Sequence, residues 1–297
     1  MSTFEVTDGV HGIDIGLFDD GVTAVYLFDD EEPALVDAGT AVAADGILES
    51  VAECGVDPAD LRHVVVSHVH ADHSGAAADL AAAAPDADVY IHHSTADHLV
   101  DPAGLVASSK QAMGDQFAEL GAQDPVPRER IVEVGDEGTT IDLGANTLSL
   151  RHHPGHSPDH LAVWNPERSL LFAAECAVMY LARAERWLPP STLPNFDVDL
   201  VAEAIDELRE LEPETVVFPH FGVSPVAGEE LFDIAERELR RFDERILELH
   251  AEHEDLAATK EAVAAELIDC APPYDPGVEG FYANLITEGF LRHHDAL

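Results

Sequence analysis

Short apolar runs broken by turn residues fill the first quarter of the chain. "VHGIDIG", "VTAVYLFDD" and "PALVDAG" are β-rich and separated by Asp-Asp-Gly and Glu-Glu-Pro turn signals. "AVAADGILESVAECG" then has helical spacing and a glycine stop. "RHVVVSH" predicts a strand, "GAAADLAAAAP" a helix closed by proline, "ADVYIHH" a strand and "SKQAMGDQFAELG" a helix. "TTIDLGANTLSLRHH" reads as two strands meeting at a glycine, and "HLAVWN" and "SLLFAA" as a second pair. From "DVDLVAEAIDELREL" onward the pattern is helical, with the short strand "TVVFPH" inside it. "EELFDIAERELRRFDERILELHAEH" is a long amphipathic helix, and "EAVAAELIDC" and "FYANLITEGFLRHH" are helices joined by the loop "APPYDPGVEG". Strands accompany helices in both halves, so a layered α/β sandwich is expected.

Composition narrows the function classes. The 297 residues are 46% hydrophobic, enough for a real core in one large domain or two small ones. The formal charge is −44, from 59 acidic against 15 basic side chains, and only Lys110 and Lys260 are lysines. Acid spread along the whole chain points to a solvated acidic surface suited to a salt-rich cytosol. Nucleic acid and anionic membrane are poor partners, because phosphate binding needs clustered lysine and arginine. Cys54, Cys176 and Cys270 are few and scattered, so no disulfide framework is implied. No leader-like segment opens the sequence and no apolar run has membrane-span length, so a cytoplasmic protein is expected.

Four segments place a ligand-type residue directly after an apolar strand: "VVVSHVHADH", "LSLRHHPGH", "LLFAAE" and "VVFPH". Such residues can converge at one edge of a sandwich. His68 and His70 are two apart and point to one side of extended chain, while Asp72 and His73 follow at a helix start. Imidazole nitrogen and carboxylate oxygen, without thiolate, suit zinc, iron or manganese.

These segments resemble the metallo-β-lactamase superfamily, in particular its glyoxalase II-like hydrolases. "SHVHADHSG" carries the family's His-x-His-x-Asp-His signature after a strand, and "HHPGHSPDH" looks like its second segment, with His153 where threonine is usual. The similarity runs from residue 10 to about residue 222. It implies an αββα sandwich, placed over residues 1–225, and two divalent metals, zinc first with iron or manganese as alternatives; the helical pattern beyond it predicts a C-terminal extension over 226–297 packed on the same domain. By that resemblance His68, His70 and His156 hold the first metal, and Asp72, His73 and His220 the second. The family's bridging carboxylate is an aspartate after glycine; here Glu175 follows Ala174. Glutamate is longer by one methylene, about 1.5 Å. Asp37 resembles a buried family aspartate placed to orient a ligand histidine. His152 and His160 flank the Pro-Gly-His turn as supporting or substrate-facing residues, and Cys176 should point away from the metals.

The expected activity is hydrolysis of a small-molecule thioester, lactone or other carboxylic ester by a metal-bound hydroxide, with Asp72 orienting it. A mononuclear iron enzyme similar to persulfide dioxygenases and a metal-bearing binding protein are the alternatives, and a homodimer is an open expectation. A nuclease lacks its basic surface here, and the flavin-linked di-iron branch has glutamate where this chain has His70.

Overall fold

Strand alternation in this chain buries both faces rather than one. In the computed structural model, which describes residues 1–297 apart from the side chains of Ala112 and Asp115, the strand Ala24–Phe28 turns Ala24, Tyr26 and Phe28 to one core and Val25 and Leu27 to another. A sheet covered on both sides needs a helix layer outside and a second sheet inside. Both are present.

The first sheet holds seven strands in sequential order: β1 (Ser2–Thr7), β2 (Val10–Asp14), β3 (Ala24–Phe28), β4 (Ala34–Val36), β5 (His63–Val65), β6 (Asp88–His92) and β7 (Ile131–Val134). The second contains β8 (Thr139–Asp142), β9 (Thr147–His152), β10 (Leu161–Asn165), β11 (Leu170–Phe172), β14 (Thr215–Phe218) and β15 (Gly222–Val223) in the order β15-β14-β11-β10-β9-β8. The strands β12 (Met179–Leu181) and β13 (Arg186–Leu188) form a separate hairpin.

Helices α1 (Ala44–Glu53) and α3 (Ala77–Ala83) cover the first sheet: Ile47, Val51, Leu80 and Ala81 share one core with Val25, Leu27, Leu35 and Val64. Between them lies the four-residue α2 (Ala71–Ser74), and beyond β6 come α4 (Ala96–Val100), α5 (Ala103–Met113) and α6 (Phe117–Leu120). The second core lies between the sheets and extends to α7 (Val198–Arg209), α8 (Gly228–His253) and α10 (Pro276–His293), with α9 (Leu256–Val263) beside them. Ile205 of α7, Phe232 and Phe242 of α8, and Phe290 of α10 are all buried in this one cluster, so the C-terminal helices share the core of the sheets. The αββα architecture with a helical C-terminal region is therefore observed. Among the described residues, no helix is long and apolar enough to cross a membrane.

Direction matters more for function than strand count. β4, β5, β6 and β7 pair in parallel, as do β11 and β14. Parallel neighbours end on the same edge, so Asp37, Ser67, His92, Glu175 and His220 all leave their strands at strand C-termini. The Tyr26 hydroxyl donates to the Phe218 carbonyl across the two sheets at 2.6 Å, which fixes one set of ends against the other.

Candidate metal centre

The chain after β5 bends from Ser67 to His70 and enters α2 at Ala71, and the Ser67 carbonyl accepts the Leu161 N–H of β10, which ties the bend to the second sheet. Gly75 closes this turn where a Cβ would lie 2.5 Å from the Ala41 nitrogen, so the loop depends on glycine there. Gly155 plays the same part in the second loop: its φ is +144°, and a Cβ would meet Val201 at 2.7 Å. The start of α7 thus seats the Pro154–His156 turn.

Two groups of ligand atoms result. The His70 Nδ1 lies 2.8 Å from His68 Nε2 and 3.1 Å from His156 Nε2, so three imidazoles aim at one point. Asp72 Oδ2 lies 3.4 Å from His73 Nε2 and 3.5 Å from His220 Nε2. Glu175 stands between the groups. Its Oε2 is 3.4 Å from His68 Nε2, 3.3 Å from His156 Nε2 and 3.3 Å from His73 Nε2, and its Oε1 is 3.6 Å from His220 Nε2. All seven residues expected from the sequence meet here. His68, His73 and Glu175 form a buried floor, and Asp72, whose side chain is 23% exposed, stands at the open side.

The outer nitrogens are committed elsewhere. His73 Nδ1 is 2.7 Å from Asp37 Oδ2, while Asp37 Oδ1 accepts the Ser67 N–H. His156 Nδ1 donates to the Pro190 carbonyl at 2.7 Å, and His220 Nδ1 donates to the Val22 carbonyl at 3.0 Å. A carbonyl only accepts, so a hydrogen sits on each Nδ1 and, in the neutral ring, Nε2 presents a lone pair to the site. Asp14 supports this arrangement by accepting the Gly16 and Gly21 N–H groups, which holds the loop carrying Val22. Such outer partners set tautomer and ring orientation at metal sites.

Electrostatics agree with a cation-binding pocket. Burial, followed by the neighbouring imidazoles, holds the His68 pKa well below the ordinary value, and burial takes His156 to about 4. Burial would raise Glu175, yet the protonated forms of His156, His220 and His73 outweigh it and hold its carboxyl below the usual range. Against burial, the carboxylates in turn raise His73 and His220, so an entering cation replaces protons on those two rings. The fit to a divalent ion rests on one further observation: Glu175 Oε2 is buried and has no hydrogen-bond partner among the described residues. A buried anionic oxygen without a donor is costly, and a cation shared with the surrounding nitrogens satisfies it.

His160 lies under this floor rather than in it. Its Nε2 accepts the Glu175 N–H at 3.2 Å and its Nδ1 is 2.9 Å from Cys176 Sγ, so neither nitrogen is free for a metal. Cys176 points away, as expected. His152 and His153 leave the site: His152 Nε2 donates to the Pro158 carbonyl and His153 Nδ1 meets Glu207 at 3.2 Å. Sequence reasoning did not identify Asp159, which is fully buried and accepts from the Val69 N–H, the Thr95 hydroxyl and the Ser157 hydroxyl. It ties the two histidine loops together. Sequence reasoning also missed the specific contact of Tyr282, on α10, whose ring lies 6.4 Å from that of His220 and whose buried hydroxyl has no partner among the described residues.

Comparison with known proteins agrees with this geometry. The model of the metallo-beta-lactamase superfamily matches residues 18–220. A probable metallo-hydrolase, YflN of Bacillus subtilis, is 25% identical over 73% of this chain and 85% of its own. The acyl-coenzyme A thioesterase MBLAC2 of Bos taurus is 26% identical over 58% of this chain and 59% of its own. Among solved structures, the metallo-beta-lactamase family protein TTHA1429 of Thermus thermophilus superposes with a TM-score of 0.67 at 18% identity, covering 97% of this chain and 93% of that one.

Proposed function

Since the chain belongs to the metallo-β-lactamase superfamily, we propose that it is a metal-dependent hydrolase with a dinuclear site, acting on a small-molecule thioester, lactone or other carboxylic ester. The observation that carries this reading is the unpartnered Glu175 Oε2, within 3.4 Å of nitrogens from both ligand sets. His68, His70 and His156 would hold one ion, and Asp72, His73 and His220 the other, with Glu175 shared between them. Zinc is the first expectation for this donor set, with iron or manganese as alternatives. Bound there, two divalent ions supply a nucleophilic water near neutral pH and polarise a carbonyl.

The chain's own groups do the positioning. Hydrolysis adds the oxygen of water to the acyl carbon, and a proton goes to the leaving sulfur or oxygen. Asp72, at the open side, orients the attacking water through its carboxylate. Tyr282 brings a phenol from α10 beside His220, its hydroxyl buried without a partner among the described residues, and in this reading it donates to the substrate's carbonyl oxygen. Phe281 next to it packs on Phe18 with ring centroids 5.1 Å apart, an apolar pair suited to the acyl chain. The MBLAC2 relative, a thioesterase by name, supports the thioester end of the substrate range.

A mononuclear iron oxygenase needs one set of two histidines and a carboxylate, and Asp72, His73 and His220 make such a set. That reading leaves the convergence of His68, His70 and His156 unused, so the dinuclear hydrolase is preferred. The test is a panel of thioesters and lactones offered to metal-loaded protein, with oxygen uptake recorded alongside. Ester cleavage abolished by chelation is expected. Oxygen consumption without hydrolysis, or full metal occupancy with no turnover on any substrate, contradicts it.

A further inference from the structure

A second histidine cluster lies on the same edge of the sandwich, outside the seven residues above. β6 ends in His92, with His93 next along the chain, β9 ends in His152, and the turn between β7 and β8 carries Asp136. The His92 and His152 rings stack at 4.0 Å with planes 15° apart. Asp136 Oδ1 lies 3.1 Å from His92 Nε2, 3.0 Å from His93 Nε2 and 4.0 Å from His152 Nδ1. One carboxylate oxygen therefore stands at the centre of three imidazole nitrogens from two sheets.

The neighbours of each ring set where its hydrogen sits. His152 Nε2 faces the Pro158 carbonyl at 2.8 Å, so it carries the ring's hydrogen. In the neutral ring Nδ1 is then a bare lone pair aimed at an anionic oxygen, with no donor between them. His92 differs: its Nδ1 lies 2.8 Å from the Ser94 hydroxyl and accepts the Ser94 N–H at 3.5 Å, so in the metal-free ring Nε2 carries the hydrogen and donates to Asp136 Oδ1. The ligand atoms of His92, Asp136 and His152 nonetheless converge within 4.8 Å of one another, and a cation is held there by displacing the His92 proton.

We infer that His92 Nε2, His152 Nδ1 and Asp136 Oδ1, with His93 Nε2 alongside, form a peripheral binding site for a borderline divalent cation such as zinc, nickel or cobalt. Imidazole and carboxylate donors disfavour calcium and magnesium, which take oxygen ligands. The Asp136 side chain is 73% exposed, so the site is open to solvent and binds more weakly than the buried pair. Its elements continue into the catalytic loops: Thr95, three residues after His92, donates to Asp159, and His152 precedes the Pro154–His156 turn. An ion here clamps β6 to β9 behind those loops. The inference does not depend on the hydrolytic reading.

The experiment counts zinc per chain after equilibration with zinc chloride in molar potassium chloride, which suppresses loose binding to surface carboxylates. Wild-type protein should hold one equivalent beyond those of the buried ligand sets. Asp136→Asn, on an exposed turn where folding is not at stake, and His152→Ala should each lose that equivalent alone. His68→Ala should lose buried metal and keep the peripheral equivalent, which separates failure here from failure of the main site. His293→Ala should retain it too, because His293 belongs to a different group with Asp197 and Asp199. No additional equivalent in the wild type, an additional equivalent that survives Asp136→Asn and His152→Ala, or one lost only with His293→Ala overturns the proposal.

Discussion

Glu175 replaces a shorter family carboxylate, yet its oxygen reaches nitrogens of both ligand sets at 3.3–3.4 Å. The extra methylene is accommodated because Ala174, with φ +47°, turns the chain sharply before it, and the Glu175 N–H is held by His160. Glu175→Ala should strip the Asp72–His73–His220 ion and leave the three-histidine set largely filled, whereas Glu175→Gln should weaken the same ion less; metal analysis of both variants checks this. Two metals and full turnover in both would make Glu175 an ordinary strand-end residue. Asp37→Asn should lower metal affinity about 10–100-fold, by loosening the tautomer of His73. His153 supplies a pH test. Burial takes its pKa down from the ordinary 6.5 to about 4, so between those values the unfolded chain binds the extra proton. Stability is then full above pH 6.5 and falls as pH drops toward 4, by at most about 3 kcal/mol. His153→Gln should flatten that slope in denaturant titrations; an unchanged slope assigns it to other groups.

The elements that carry the site were legible because each couples a local pattern to a ligand. β5, β11 and β14 are short, largely buried runs and β9 alternates, and the residues after them are chemically distinctive. What local pattern does not encode is pairing. β1 is an exposed edge strand with a polar outer face, β7 is four residues without alternation, and the β12–β13 hairpin pairs only with itself. The helix expected over 109–121 is two helices, because Gly114 takes φ +56° and breaks it. Asp159 was illegible for the same reason as β7: its partner Val69 lies 90 residues away. One side of α10 packs on the sandwich, since Val278, Tyr282, Ile286 and Phe290 belong to the inter-sheet core. Removing residues 278–297 would therefore expose that core, and Tyr282→Phe is the cleaner probe of the helix at the site. It should lower kcat about 10²-fold at unchanged metal content. Steady-state kinetics with kcat unaltered would confine α10 to packing.

At the scale of the whole molecule, charge is the dominant feature. The arginines gather acids around them: Arg245 contacts Glu248, Glu252 and Glu266, and Arg209 contacts Glu229, Asp233 and Glu236. Such exposed pairs add little each, about 0–1 kcal/mol. With 59 acids and 15 bases, most carboxylates have no cation to meet. Melting temperature should rise in molar potassium chloride, where the Debye length falls to about 3 Å; a value equal to that at low salt removes the halophilic reading. The fold's main consequence is nonetheless local, the meeting of two ligand sets from two sheets. An anomalous difference map at the zinc edge, from crystals of zinc-loaded protein, tests it most directly. Two peaks are predicted, one among His68, His70 and His156 and one among Asp72, His73 and His220, with the Glu175 carboxylate between them. A single peak, or none in either set, would contradict the dinuclear account.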